Sequence, residues 1–130
     1  MGIDMSSFSA ESGNVEGSTV IKGVGAGPGR VTAPACVLRG PEDFDQMVVG
    51  RVLVASTTTP AWTPLFAMAS GVVTDIGGPL SHGSIVAREY GIPAVMGTGS
   101  ATKLIESGQI ITVCGDTGEV LLANGSGATG

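Results

Sequence analysis

One stretch decides the fold of this 130-residue chain: Gly77-Gly78-Pro79-Leu80-Ser81-His82-Gly83-Ser84-Ile85-Val86-Ala87-Arg88-Glu89-Tyr90-Gly91. Its glycines and proline predict a turn, Ser81 is a preferred helix N-cap residue, and a helix is predicted over His82–Tyr90. Gly91 is a typical residue to close that helix. The β-branched run Val72–Ile76 just before the turn predicts a short strand. A strand, a glycine turn and a helix in this order indicate an α/β domain.

Strand and helix patterns continue on both sides of this unit. Further strands are predicted at Thr19–Val24, Arg30–Leu38, Arg51–Ala55, Pro93–Met96, Gln109–Cys114 and Glu119–Leu122, the last two joined by a hairpin turn. Further helices are predicted at Ala61–Ser70 and Ala101–Ser107, with a short helix or turn at Glu42–Met47. The order predicts a single α/β domain over residues 18–123, with a mixed central sheet and helices packed on it. Residues 1–17 and 124–130 are predicted to be flexible segments, because they are rich in Ser and Gly and lack periodicity.

The glycine-rich stretch Gly23–Gly29 has two interpretations. It could be a nucleotide-binding loop, but no Gly-Lys-Ser/Thr follows it. The next segment, Arg30–Leu38, is typical of a strand and not of a helix, with Pro34 marking an edge or a bulge. A turn that reverses the chain is therefore favoured.

Charge and cysteine content narrow the class of protein. The net charge is −5 with no basic run, which argues against a nucleic-acid-binding surface. The N-terminal residues show no charged segment followed by an apolar one, and the apolar runs are short, so neither secretion nor a membrane span is expected. Cys36 and Cys114 match no metal or redox spacing. These features predict a cytoplasmic protein with no metal site in this chain.

His82 is the only histidine and the candidate reactive residue. The helix dipole disfavours imidazolium in the first turn, so the ring is expected to be neutral at pH 7 and able to act as a nucleophile. The N–H groups of Gly83, Ser84 and Ile85 have no partner within the helix, so together with the Ser81 or Ser84 hydroxyl they could hold a phosphoryl group. The alternative is that His82 is only a polar residue near a helix start.

Arg88 is a second candidate, about 120° around the helix from His82. It could contact phosphate or orient the loop before the helix. It could equally form a salt bridge with Glu89 or Asp75.

Five further residues are candidates for a partner-facing or substrate-facing surface. Gly77, Gly78 and Gly83 lack side-chain bulk and would let a second surface approach closely. Thr58 and Trp62 are weaker candidates for that surface. Trp62 could line it, or it could pack in the core. Three apolar residues of the helix are expected to make core contacts: Ile85, Val86 and Tyr90.

In these motifs the sequence resembles the mobile, swivelling phosphohistidine domain of phosphoenolpyruvate-utilising enzymes. The resemblance runs from about Lys22 to Leu122 and is carried by Gly27-Pro28-Gly29-Arg30-Val31, Leu53-Val54-Ala55, Thr58 and Pro60, Gly77-Gly78, Ser81–Arg88, Gly91–Val95 and the Gly115–Gly118 hairpin. The segments Trp62–Phe66 and Ala87–Pro93 are most similar to the phosphoenolpyruvate synthase and rifampicin phosphotransferase branch. Three positions depart from the family pattern: Leu80 replaces a regulatory threonine of dikinases, and Thr59 and Cys114 stand where Asp is common.

The resemblance implies a swivelling β/β/α fold and a phosphoryl carrier. His82 would be phosphorylated on Nε2, with Ser81, Gly83, Ser84, Gly78 and Arg88 as phosphate-stabilising residues and Thr58, Trp62 and Gly77 facing a partner. An ATP-grasp domain would supply the phosphate from ATP with Mg²⁺, and an acceptor or phosphoenolpyruvate/pyruvate domain would exchange it. Neither domain fits in 130 residues, so an excised domain or a separate carrier subunit is expected. The alternatives are a non-catalytic interaction or regulatory module and a free-standing anion-binding domain.

Overall fold

A computed structural model describes residues 18–123, so the predicted flexible segments 1–17 and 124–130 lie outside the described residues. The strands are β1 (Ser18–Lys22), β2 (Val24–Gly27), β3 (Arg30–Val37), β4 (Val52–Ala55), β5 (Gly71–Thr74), β6 (Ala94–Met96), β7 (Ile110–Cys114) and β8 (Glu119–Ala123). The α-helices are α1 (Thr63–Phe66), α2 (His82–Tyr90) and α3 (Ala101–Leu104), and two 3₁₀ turns span Pro41–Gln46 and Pro60–Trp62. In this part of the chain, no helix is long and apolar enough to cross a membrane.

The strands form one mixed sheet in the order β1-β8-β7-β3-β4-β5-β6-β2, which confirms the predicted α/β architecture. The neighbours from β3 to β6 run parallel, and the other described pairs are antiparallel. β1 and β2 lie at the two ends of this order although only Gly23 separates them in the chain. The Gly23 N–H donates to the Gly118 carbonyl at 2.8 Å, so the sheet curves until its two ends meet at this glycine.

The sequence predicted that the whole glycine-rich stretch is a turn that reverses the chain. The structure shows a turn only at its end. Val24–Gly27 is a strand paired with β6, and the chain turns only at the following Pro28-Gly29, where Gly29 has a φ of +109°. A Cβ at Gly115 would overlap the carbonyl oxygen of Gly27, and a Cβ at Gly25 would overlap that of Gly115. These glycines therefore allow two backbone segments to approach closely where the sheet closes. This packing requirement explains the glycine-rich motif, and no bound nucleotide is needed to explain it.

The predicted helix α2 is confirmed from His82 to Tyr90, with Gly91 in the left-handed conformation at its end. The helices predicted over Ala61–Ser70 and Ala101–Ser107 are too long, since α1 and α3 have four residues each. After α1 the chain must enter β5, and the Ser70 N–H already donates to the Arg51 carbonyl. After α3 it adopts extended backbone at Ile105, whose side chain is buried in the core.

Two apolar clusters pack on opposite faces of the parallel strands. Along β4, Leu53 and Ala55 belong to the cluster with Phe66 and Val86, whereas Val52 and Val54 belong to the cluster with β7 and β8 residues. This alternation follows from the two-residue period of a strand, and it buries β4 on both faces. Val86 packs in the core as predicted, but the prediction was wrong for Ile85 and Tyr90, which are exposed.

Two loops at one edge of the sheet hold the candidate residues. β4 and β5 are parallel, so the segments that follow them, which contain Thr58 and Gly77–His82, leave the sheet at the same carboxyl edge. Ligands of α/β folds with parallel strands, open or closed, commonly bind at this carboxyl edge.

Candidate active site

The His82 ring presents its two nitrogens to different surroundings. Nδ1 is buried and has no hydrogen-bond partner among residues 18–123. Nε2 lies 3.3 Å from the Thr63 hydroxyl, and the Phe66 ring packs edge-on at a centroid distance of 6.2 Å. Nδ1 is therefore closed off by packing, whereas Nε2 has the Thr63 hydroxyl beside it.

Thr63 is a site residue that the sequence analysis missed. Its hydroxyl can donate to Nε2 when that nitrogen is unprotonated, or accept from it otherwise. The two residues are 19 positions apart, and only the packing of α1 against α2 brings them together. No local spacing rule marks such a pair.

The two serines of the motif hold the loop in front of α2. The Ser81 and Ser84 hydroxyls donate to the Gly78 carbonyl oxygen at 2.8 and 2.5 Å, and the Ser81 N–H donates to the same oxygen at 3.1 Å. Ser84 is 0% exposed. The structure therefore corrects the expectation that the Ser84 hydroxyl is directed at a group on His82, because it is buried and bound to the loop.

Arg88 also binds the loop. Its guanidinium donates to the Ala26 carbonyl at 2.9 Å and to the Pro79 carbonyl at 2.7 Å, linking β2 to the segment before His82. Asp75, one of the two alternatives for a salt bridge with Arg88, is bound elsewhere: its carboxylate accepts from the N–H and hydroxyl of Thr102 at 3.0 and 2.5 Å. Of the roles considered for Arg88, orientation of the loop is the one these contacts support, and contact with a phosphoryl group stays a prediction.

The start of α2 offers two backbone donors instead of the predicted three. The Ile85 N–H donates to the Ser81 carbonyl at 3.0 Å and is not available. The N–H groups of Gly83 and Ser84 have no such partner in the described part of the chain. A Cβ at Gly83 would lie 2.9 Å from the Thr58 hydroxyl oxygen, so the absence of a side chain there lets Thr58 pack beside the helix start. These two N–H groups carry the anion-binding potential of this helix end.

The residues predicted to face a partner are placed differently. Trp62 is 5% exposed and packs edge-on against Phe44 at 4.8 Å, so its assignment to the surface was wrong and its alternative as core is correct. Thr58 is also nearly buried, at 9% exposed. Gly77 is half-buried with a φ of +142°, a conformation that other residues rarely adopt. It shapes the turn that Ser81 and Arg88 hold.

A sequence profile of the family described as "PEP-utilising enzyme, mobile domain" matches residues 47–118. The chain belongs to this family. The match contains the whole site, from Thr58 through His82 to Arg88, so the resemblance drawn from the motif is confirmed.

Curated relatives agree with this assignment. The phosphoenolpyruvate synthase of Aeropyrum pernix is 47% identical over 106 residues, which are 81% of this chain and 13% of that protein. The rifampicin phosphotransferase of Bacillus subtilis is 45% identical over 100 residues, which are 77% of this chain and 11% of that protein. The chain thus spans only a small part of the length of these relatives.

A solved structure supports the fold of the mobile domain. The solution structure of an enzyme I protein superposes with a TM-score of 0.52 at 37% sequence identity, covering 57% of this chain and 31% of that chain. The mobile domain is thus a component of phosphoenolpyruvate-utilising phosphotransferases.

Proposed function

We propose that this mobile domain carries a phosphoryl group on Nε2 of His82 between an ATP-grasp domain and an acceptor domain. The observation that carries the proposal is the asymmetry of the ring: Nδ1 is buried, while Nε2 stands at a helix start with two N–H groups that have no partner among residues 18–123. Relatives named as a phosphoenolpyruvate synthase and a rifampicin phosphotransferase support phosphoryl transfer of the pyruvate, water dikinase type, with the acceptor bound by the acceptor domain.

Transfer of the phosphoryl group to His82 requires a lone pair on the ring nitrogen and a leaving group on the donor phosphorus. Nε2 donates its lone pair to phosphorus as the P–O bond to the donor breaks, and the leaving oxygen keeps that electron pair. The proton of the ring stays on Nδ1, so no base has to remove it. The Gly83 and Ser84 N–H groups then stabilise the phosphoryl oxygens, because backbone donors at a helix start favour negative charge. In the second transfer the N–P bond breaks and its electron pair returns to Nε2.

The loop before α2 supports this chemistry by holding His82 in place. Ser81, Ser84 and Arg88 fix the Gly78 and Pro79 carbonyls, and the ring follows directly after them. Catalytic groups act efficiently only when their geometry is fixed before the reaction. ATP and Mg²⁺ would be held by the partner domain, and we place the protein in the cytoplasm, in line with its two free cysteines.

Phosphorylation of the full chain tests the proposal. Mixed with a verified ATP-grasp partner, ATP and Mg²⁺, the chain should gain one acid-labile, base-stable phosphate, located at His82 by mass spectrometry at neutral to alkaline pH. Because the sequence holds a single histidine, any phosphohistidine in it is His82. Uptake that persists in His82→Ala would contradict the proposal. Full activity of the native assembly with His82→Ala would instead favour the non-catalytic interaction module.

A further inference from the structure

Three large apolar side chains close to His82 in the chain are exposed. Leu80 is 83% exposed, Ile76 is 64% exposed and Ile85 is 44% exposed. We call these three residues the apolar rim. Single exposed apolar residues are ordinary, but several around one reactive group indicate a surface that another molecule covers.

The rim is held in place by the same contacts that hold His82. Leu80 lies between Pro79, whose carbonyl binds Arg88, and Ser81, whose hydroxyl binds the Gly78 carbonyl. Ile85 is three residues after His82 on α2, so the two side chains share a face of the helix. The Ile76 N–H donates to the Ser56 carbonyl at 2.8 Å, which ties the other end of the loop to the segment after β4. The rim is therefore presented at a fixed position relative to Nε2.

The chain segments that carry the rim are almost without charge. Between Val52 and Ala87 the only Asp, Glu, Lys or Arg is Asp75, and both oxygens of its carboxylate bind Thr102. Arg88 follows this stretch, but its guanidinium is engaged by two carbonyls. Apart from the single charge of Asp75, the net charge of −5 therefore resides on other parts of the chain. A partner that docks here can gain little from charge pairing and much from apolar burial.

We propose that the apolar rim docks onto the domain that donates the phosphoryl group, with Leu80 as the main anchor. This inference rests on the proposed function. A donor phosphorus must come to about 3–3.5 Å from Nε2, so the donor surface necessarily covers the residues that flank the ring. The rim predicts an uncharged apolar recess on that domain, beside its bound nucleotide. The large part of each relative that this chain does not match leaves room for such a domain.

Leu80→Ser is the test, with Val49→Ser as a matched control. Val49 is an aliphatic residue that is 73% exposed, and it lies before β4, at the opposite edge of the parallel strands from His82. Initial rates of His82 phosphorylation are measured against the concentration of the full chain, with ATP, Mg²⁺ and a verified ATP-grasp partner. Leu80→Ser should raise the KM for the chain about tenfold with kcat little changed, since the burial of one leucine is lost. Val49→Ser should match the wild type, and Leu80→Met should restore most of the affinity.

Salt dependence gives an independent readout. The wild-type KM should change less than about twofold between about 50 and 500 mM NaCl, because exposed charge pairs are screened over that range and apolar contacts are not. A steep rise in KM with salt would overturn apolar docking.

Two other results would also overturn the proposal. One is an unchanged KM in Leu80→Ser while the wild type is phosphorylated normally. The other is self-association of the wild-type chain, seen by sedimentation and abolished by Leu80→Ser, which would assign the rim to a second copy. If the wild type itself takes up no phosphate, the proposed function fails, and that result is distinct from these two. Equal unfolding midpoints for Leu80→Ser and the wild type confirm that the variant is folded.

Discussion

The buried Ser84 hydroxyl lies 2.5 Å from the carbonyl oxygen of Gly78, six residues earlier in the chain. The Ser81 hydroxyl donates to the same oxygen and also lies 3.1 Å from the Ser84 hydroxyl. The Ser-His-Gly-Ser motif is therefore a local network that ties the glycine turn to the first turn of α2. The polar residues that suggest phosphate binding in the sequence first serve to hold the histidine.

Ser81→Ala and Ser84→Ala should destabilise the chain non-additively. Each single substitution leaves one hydroxyl on the Gly78 oxygen, whereas the double substitution leaves only the Ser81 N–H. We expect about 1 kcal/mol for each single change and a coupling free energy of about 1 kcal/mol in the double-mutant cycle. Urea unfolding measures all four variants, with Ser56→Ala, an exposed serine, as control. Strict additivity would show that the two hydroxyls act independently.

Arg88→Lys should behave like Arg88→Ala and not like the wild type. The guanidinium spans two carbonyls on separate segments, and an ammonium is a single point that cannot reproduce this bridge. Both variants should lower the rate of His82 phosphorylation about tenfold, with the KM for ATP unchanged. They should also speed hydrogen exchange at the Leu80 and Ser81 amides.

Glu89→Gln is the matched control for Arg88, since Glu89 is the next exposed residue on α2. Retention of most activity in Arg88→Lys would point to a charge contact with phosphate and contradict the role in holding the loop.

Helix α2 could be predicted to the residue because its signals are local. Ser81 stands at the N-cap and Gly91 closes the helix in the left-handed conformation, and both signals lie in the sequence itself. His82 could be singled out for the same reason, as the only histidine at such a position. Strand β4 could also be predicted from local sequence, because it is a short apolar run rich in β-branched residues.

Other features could not be predicted because they depend on distant parts of the chain. Glycines disfavour strands in general, yet β2 contains two, since its backbone passes close to Gly115 where the sheet closes. Thr63 reaches His82 only through the packing of α1 against α2. Trp62 resembled a surface residue beside a reactive loop, but Phe44 from the first 3₁₀ turn covers it.

The two cysteines should differ in their reactivity toward iodoacetamide. A hydrogen bond from the Thr117 side chain lowers the pKa of the Cys114 thiol, while burial raises the pKa of the Cys36 thiol. A lowered pKa means that the thiolate, the reactive form, is populated at lower pH than for an ordinary thiol. Mass spectrometry of the folded chain should find Cys114 alkylated first, with the rate levelling off at a lower pH than for free cysteine. Thr117→Val should shift that profile upward, and faster labelling of Cys36 would contradict the expectation.

The phosphorylated chain should carry its phosphate on Nε2 and not on Nδ1. The two nitrogens are chemically similar, so the choice between them is made by packing, which buries Nδ1. ¹⁵N and ³¹P NMR of the phosphorylated chain distinguishes the two isomers. Thr63→Val removes the hydroxyl 3.3 Å from Nε2 and leaves an apolar side chain of similar size, so it should change the rate but not the isomer. An Nδ1 isomer in the wild type, or a mixture in Thr63→Val, would show that the hydroxyl or a movement of the ring governs the choice instead of burial.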